Sequence, residues 1–375
     1  MADPLARAGR WARHVERIEQ ATPPGRDRAL DALRAFAILG VVLGHWLGAA
    51  WELNPHLVIT SPLVHLPGLG ALSWIFQALA LFFFVGGHVA AGSARRPYGK
   101  WVSARMRRLL LPAVPMIVLW AVLATLLSTL GGLPYRELRA VVLPAVAPLW
   151  FLAVFALLTA CTPLLLRVRP GVAVAAMVAT VAVVDVARFV LGAPEQVGWL
   201  NLLAGWLVPY LLGILSANGG LRARGTAAWL PAGGAAGAVA LVGWFGYPAS
   251  MVGVTGERVS NLSPPSLAAV SFGIAQVGLA LLLREPLAAL MRRPRLWAVV
   301  ATANLSAMRV FVWHMTALVL TVLVFGLYQR PDTMMWVAGR VALLPVFGLV
   351  LAGIFGFMTW CRHQLDERHG CRWGR

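Results

Sequence analysis

Apolar residues arrive in ten runs of about twenty, roughly 29–50, 71–93, 109–130, 141–166, 171–191, 199–217, 227–247, 267–283, 299–326 and 336–358. The links between them are short and carry Gly, Pro and Arg. A helix needs about 20 apolar residues to cross the hydrocarbon of a bilayer. The pattern therefore predicts an all-α fold, a polytopic membrane helix bundle of about ten transmembrane helices. No link is long enough for a second folded domain, and no internal repeat is present. The expected organisation is a basic tail over 1–28, one membrane domain over 29–358 and a second basic tail over 359–375. Residues 1–28 lack the apolar centre of a signal peptide, so the first run is expected to stay uncleaved.

Composition and charge sharpen this picture. Hydrophobic residues make up 59% of the chain and charged residues 12%, about half the charge of a soluble globular protein. The formal charge of +18 raises nucleic acid as a partner, but its distribution argues against that. With the N-terminus inside and the runs alternating, the cytoplasmic segments hold 24 basic residues and the outer segments hold five: Arg136, Arg139, Arg258, Arg330 and Arg340. This asymmetry predicts both termini in the cytoplasm of a multi-pass plasma-membrane protein. Acidic lipid headgroups are the natural partner for the inner arginines. Segment 8–20 puts Trp11, Val15 and Ile18 on one helical stripe among arginines, which reads either as a helix lying on the inner membrane surface or as a solvated tail. Cys161 in a run, with Cys361 and Cys371 in the tail, makes no disulfide framework.

The chemistry must come from the few polar residues inside the runs. Arg34 and His45 lie eleven residues apart in the first. Eleven residues make three turns plus about 20°, so the two share one helix face, about 16 Å apart along the axis. Titratable groups are expensive at this depth and mark function by default. A fixed cation with an imidazole further along points to an anionic ligand entering from one side and proton chemistry at the other end. Asp31, three residues before Arg34, is close enough to pair with the guanidinium and orient it.

Arg105 and Arg108 share one face of the helix leading into the third run. They read either as anchors to headgroups or as a bidentate grip on phosphates, and the Pro112 kink could aim them inward. Asp185 and Arg188 read as a structural ion pair in preference to a proton relay. His88, beside Gly86 and Gly87, and His314 each read as helix packing or as site lining. Arg309 lies about 500° round the helix from His314 and faces elsewhere. The Trp150 indole could flank a ligand, while Gln77, Gln276, Asn201 and Asn304 read as hydrogen bonds between helices. The three histidines sit on different runs with no local ligand cluster, so no metal site is expected.

Together these residues resemble the acyltransferase 3 family of integral membrane acyltransferases, over most of the chain. Its Asp-x-x-Arg with a His after ten further residues is matched by Asp31, Arg34 and His45. Phe82 to Gly87 is similar to the second-span signature, Arg105-x-x-Arg108 with Pro112 to the third, and Pro148-Leu-Trp150-Phe-Leu to the fourth. Ser306 through His314 resembles a late Ser-to-His segment. Val85-Gly86-Gly87-His88 departs from the Ser-Gly-aromatic form of many members.

The resemblance implies transfer of an acyl group, often acetyl, from cytoplasmic acyl-CoA to a hydroxyl of a carbohydrate, glycolipid or secondary metabolite. Acyl-CoA would be a donor substrate, with no bound cofactor. Arg105 and Arg108 would hold the donor's phosphates, and Arg34, oriented by Asp31, would hold its pyrophosphate or polarise it. His45 would act as general base, with a direct transfer favoured over an acyl-histidine. His88, Trp150 and His314 would complete the lining. The competing class is a transporter of a small anionic or sugar-like solute, against which stands the lack of an inverted repeat.

Overall fold

The computed structural model describes residues 4–221, 224–254 and 259–370. The backbone is almost wholly helical, as a chain in hydrocarbon must be to satisfy its own polar groups. From the N-terminus, α1 (Pro4–Ala21) leads to α2 (Arg28–Gly48), then a hairpin of β1 (Ala50–Leu53) and β2 (Leu57–Thr60), and a short α3 (Pro62–His65). There follow α4 (Leu79–Ser93), α5 (Tyr98–Leu110), α6 (Val114–Thr129), α7 (Tyr135–Val146), α8 (Leu149–Leu165), α9 (Pro170–Phe189) and α10 (Leu200–Ala217). The chain ends with α11 (Arg224–Trp244), α12 (Leu267–Leu282), α13 (Arg284–Leu290), α14 (Pro294–Phe325), α15 (Met334–Ala342) and α16 (Leu344–Gly370).

Each of the ten apolar runs falls on helix. By length and apolarity, seven helical segments among the described residues can cross a membrane. The number rises to nine when α12 with α13, bent by 53°, and α15 with α16, bent by 43°, each make one span. The run at 227–247 falls on α11.

The chain forms two compact units. The first comprises residues 1–41, 69–109 and 152–307, the second 42–68, 110–151 and 308–375. The helices α2 and α14 belong partly to each. In the first unit, Asp27 starts α2 by accepting from the Leu30 N–H at 3.1 Å while pairing with Arg284 at 2.6 Å. Helices α4 and α10 cross so closely that a Cβ at Gly87 would overlap the Tyr210 carbonyl, and one at Gly213 the Phe84 carbonyl. Around this crossing Phe84, Val208, Leu212 and Val277 form the apolar core. Segment 8–20 is helical within α1, where His14 Nε2 meets Thr302 Oγ1 at 2.9 Å.

Two expectations change here. Asp185 and Arg188 form no ion pair. The Asp185 carboxylate accepts from Asn201 Nδ2 (2.9 Å), the Tyr247 hydroxyl (3.0 Å) and the Leu267 N–H (2.7 Å). Three donors from separate segments satisfy it better than one neighbour on its own helix, and the Arg188 guanidinium lies over the Phe189 ring instead. Burial first, and then the Asp185 carboxylate, push the Tyr247 phenol above its ordinary range, so it remains a donor.

In the second unit the first run stops at Gly48, and residues 50–60 form the hairpin, paired Ala50↔Thr60 through Leu53↔Leu57. The signal was the β-branched Val58-Ile59-Thr60 after a turn at Asn54-Pro55. Trp51 anchors the hairpin by donating to the Ala140 carbonyl at 2.8 Å. Arg340, counted above among the outer charges, lies inside the run at 336–358, on α15, and is only 3% exposed. Arg258, Cys361 and Cys371 lie outside the described side chains.

Candidate active site

Asp31 sits on the buried face of α2, in the first unit, between two arginines. Its carboxylate accepts from Arg26 Nε (2.6 Å) and Nη2 (3.0 Å) and from Arg34 Nη2 (2.9 Å). Two cations on one acid leave a net positive charge. Those hydrogen bonds raise the Arg26 pKa above its ordinary value, with burial acting in the opposite sense. The remaining side of the Arg34 fork is fixed by α14, where Nε donates to Asn304 Oδ1 at 2.5 Å. The Asn304 amide cannot flip, because its Nδ2 donates to the carbonyls of Asp31 (2.7 Å) and Val300 (3.0 Å). Arg34 is therefore held in one orientation by two partners with no spare freedom.

Further cations reach the same place. The charges of Arg26 and Arg105 both act on Arg34. Arg105 donates to Ser93 Oγ at 2.7 Å, and Arg108 is exposed beside it on α5. His88 lies at the α4–α10 crossing, close to the Phe84 ring, with Nδ1 buried and lacking a hydrogen-bond partner. Within this unit the structure thus gathers Asp31, Arg34 and Arg105, with Arg108 beside Arg105.

In the second unit, the last turn of α2 carries His45, half-buried, and α14 carries His314, 1% exposed. His314 Nε2 lies 3.1 Å from His45 Nδ1, and His314 Nδ1 lies 2.7 Å from the Phe311 carbonyl. These two contacts fix the protons. A carbonyl only accepts, so His314 Nδ1 carries the hydrogen. The neutral His314 ring then offers an Nε2 lone pair, and His45 Nδ1 must donate to it. With both rings neutral, His45 Nε2 is then the nitrogen that carries no hydrogen, the tautomer a general base needs. His45 and His314 lie on different runs and pair across two helices far apart in sequence. No group of three or more ligating side chains exists among the described residues. Trp150 packs edge-on against Phe151 (6.2 Å between centroids), which packs against the Phe311 ring (5.2 Å). Arg309 lies over the Phe355 ring, a partner of its own.

A family model described as an acyltransferase domain, that of acyltransferase 3, matches residues 27–361. The chain belongs to the acyltransferase 3 family. No curated protein and no solved structure matches it significantly. Membership makes this a membrane acyltransferase and sets the site residues in context. Asn304 makes the hydrogen bond between helices that its place in the sequence suggested, and its partner there is Arg34. His314 read as ambiguous, yet it sets the His45 tautomer. One signal was available: Asn304 and His314 stand ten residues apart on one helix, close to the eleven between Arg34 and His45.

Proposed function

We propose that this membrane acyltransferase moves an acetyl group from cytoplasmic acyl-CoA to a hydroxyl of a carbohydrate, glycolipid or secondary metabolite. The His45–His314 hydrogen bond carries this reading, since it sets the His45 tautomer in which Nε2 is the acceptor nitrogen. In the plasma membrane with both termini cytoplasmic, Arg105 and Arg108 grip the donor's phosphates at the inner mouth. Arg34 draws charge toward the donor's pyrophosphate or its thioester carbonyl. The acceptor hydroxyl attacks the carbonyl carbon, and its proton passes to His45 Nε2. The C–O bond forms, the C–S bond breaks, and the same proton returns to the departing thiolate as CoA-SH. Transfer is direct; an acyl-enzyme trapped by acid quench with labelled acyl-CoA would contradict that.

Membranes expressing wild type or His45→Ala, incubated with radiolabelled acetyl-CoA and an extract of the host's lipids and glycans, test the proposal. Label entering the extract only with wild type supports it. Equal labelling in both removes His45 from the mechanism.

Two further outcomes are expected. Arg105→Ala with Arg108→Ala raises the apparent KM for acyl-CoA more than it lowers kcat, and unchanged donor kinetics would return both to membrane anchoring. His314→Phe removes the acceptor for His45 Nδ1–H. It should lower kcat about 10²-fold, the usual cost of a misplaced catalytic group, with donor KM unchanged. Steady-state kinetics on both variants separate these effects.

A further inference from the structure

Arg340 carries a cation into the interior of the second unit, and no carboxylate meets it: none of the ion pairs among the described residues includes it. It lies near the end of α15. Its Nη2 donates to the carbonyls of Trp46 (2.6 Å) and Ala49 (2.8 Å), and its Nε also reaches the Trp46 carbonyl (3.2 Å). The guanidinium stands 4.3 Å from the centre of the Trp46 ring and 5.1 Å from that of Trp336. The Trp46 indole in turn donates to the Arg340 carbonyl at 2.8 Å.

The two carbonyls belong to the end of α2. A helix leaves its last carbonyls without partners, and here the chain turns at once into β1. Glycine or asparagine usually meets that need at little expense. A buried guanidinium is a costly solution, although it faces the negative end of the helix dipole. What it adds is rigidity from a second helix. The Ala49 N–H closes the turn onto the His45 carbonyl at 3.0 Å, so residues 45–49 form one turn gripped from α15. His45 sits at the head of that turn.

We propose that Arg340 is a positioning residue for His45, acting through the last turn of α2. Its fork, stacked between two indoles, fixes the backbone from which the imidazole projects, as His314 fixes the ring. This inference rests on the reading of His45 as the base.

Arg340→Lys keeps the cation and removes the fork, and Trp46→Phe removes the indole donor from the other side. Acyl transfer gives kcat and donor KM, and carbethoxylation of His45, followed by peptide mass spectrometry, reports its presentation independently of turnover. His14 and His88 serve as internal controls. Arg340→Lys should lower kcat about 10²-fold with donor KM within about twofold, and should change the His45 modification rate several-fold while His14 and His88 keep theirs. Trp46→Phe should move both readouts the same way by less. Wild-type kcat and an unchanged His45 rate in Arg340→Lys would overturn the inference. So would parallel changes at all three histidines, or loss of insertion in both variants, which would mark a role in folding alone. If the wild type itself transfers no acyl group, the proposed function fails, and the modification rates still decide whether Arg340 places His45.

Discussion

Replacing His45 by alanine should abolish acyl transfer while the protein still inserts in the membrane. A positioned general base is worth about 10²–10⁴-fold. His314 does not stand in the same place: its ring is 1% exposed, lies behind His45 and is tied to the Phe311 carbonyl through Nδ1. Insertion should survive. His45 is half-buried, and the turn that carries it is held by Trp46 and Arg340 through contacts in which the imidazole takes no part. Transfer of label from acyl-CoA in membranes with matched protein levels measures the effect. Transfer at the wild-type rate would remove the proposed mechanism.

Arg34→Lys should fail to restore activity, although it keeps the charge. The arginine fork engages two partners with different atoms, Nη2 on Asp31 and Nε on Asn304. An ammonium presents one compact head and cannot hold both directions at once. The displaced cation would no longer meet the donor at a fixed point, a loss of about 10²-fold in turnover. Folding should tolerate the change, because Asp31 keeps Arg26 at 2.6 Å and is not left as an unpaired buried acid. Asn304→Ala should reproduce part of the loss. Combining it with Arg34→Lys should cost less than the two losses multiplied, since both act through one contact. Full activity in Arg34→Lys would mean that a point charge suffices.

Much of this molecule was legible in the chain. Apolar runs long enough to cross a bilayer, with so little charge between them, admit only helices in a membrane, because hydrocarbon offers the backbone no other partner. The same cost made Arg34 and His45 conspicuous. Asp31 paired with Arg34 as its spacing allowed, since i and i+3 share a helix face. Local rules failed where distant segments offered something better. Asp185 took three donors from elsewhere rather than its neighbour Arg188, and Arg340 left the outer surface to close the end of α2. Periodicity on one helix states which face a side chain occupies and says nothing of what meets that face. The sequence by itself therefore determined the class of molecule and the short roll of polar residues able to do chemistry. Only the tertiary structure decided that Asn304 holds Arg34, that His314 sets the tautomer of His45, and that Arg340 grips the turn beneath it, because each is a contact between groups some 270 to 300 residues apart, for which local spacing carries no information.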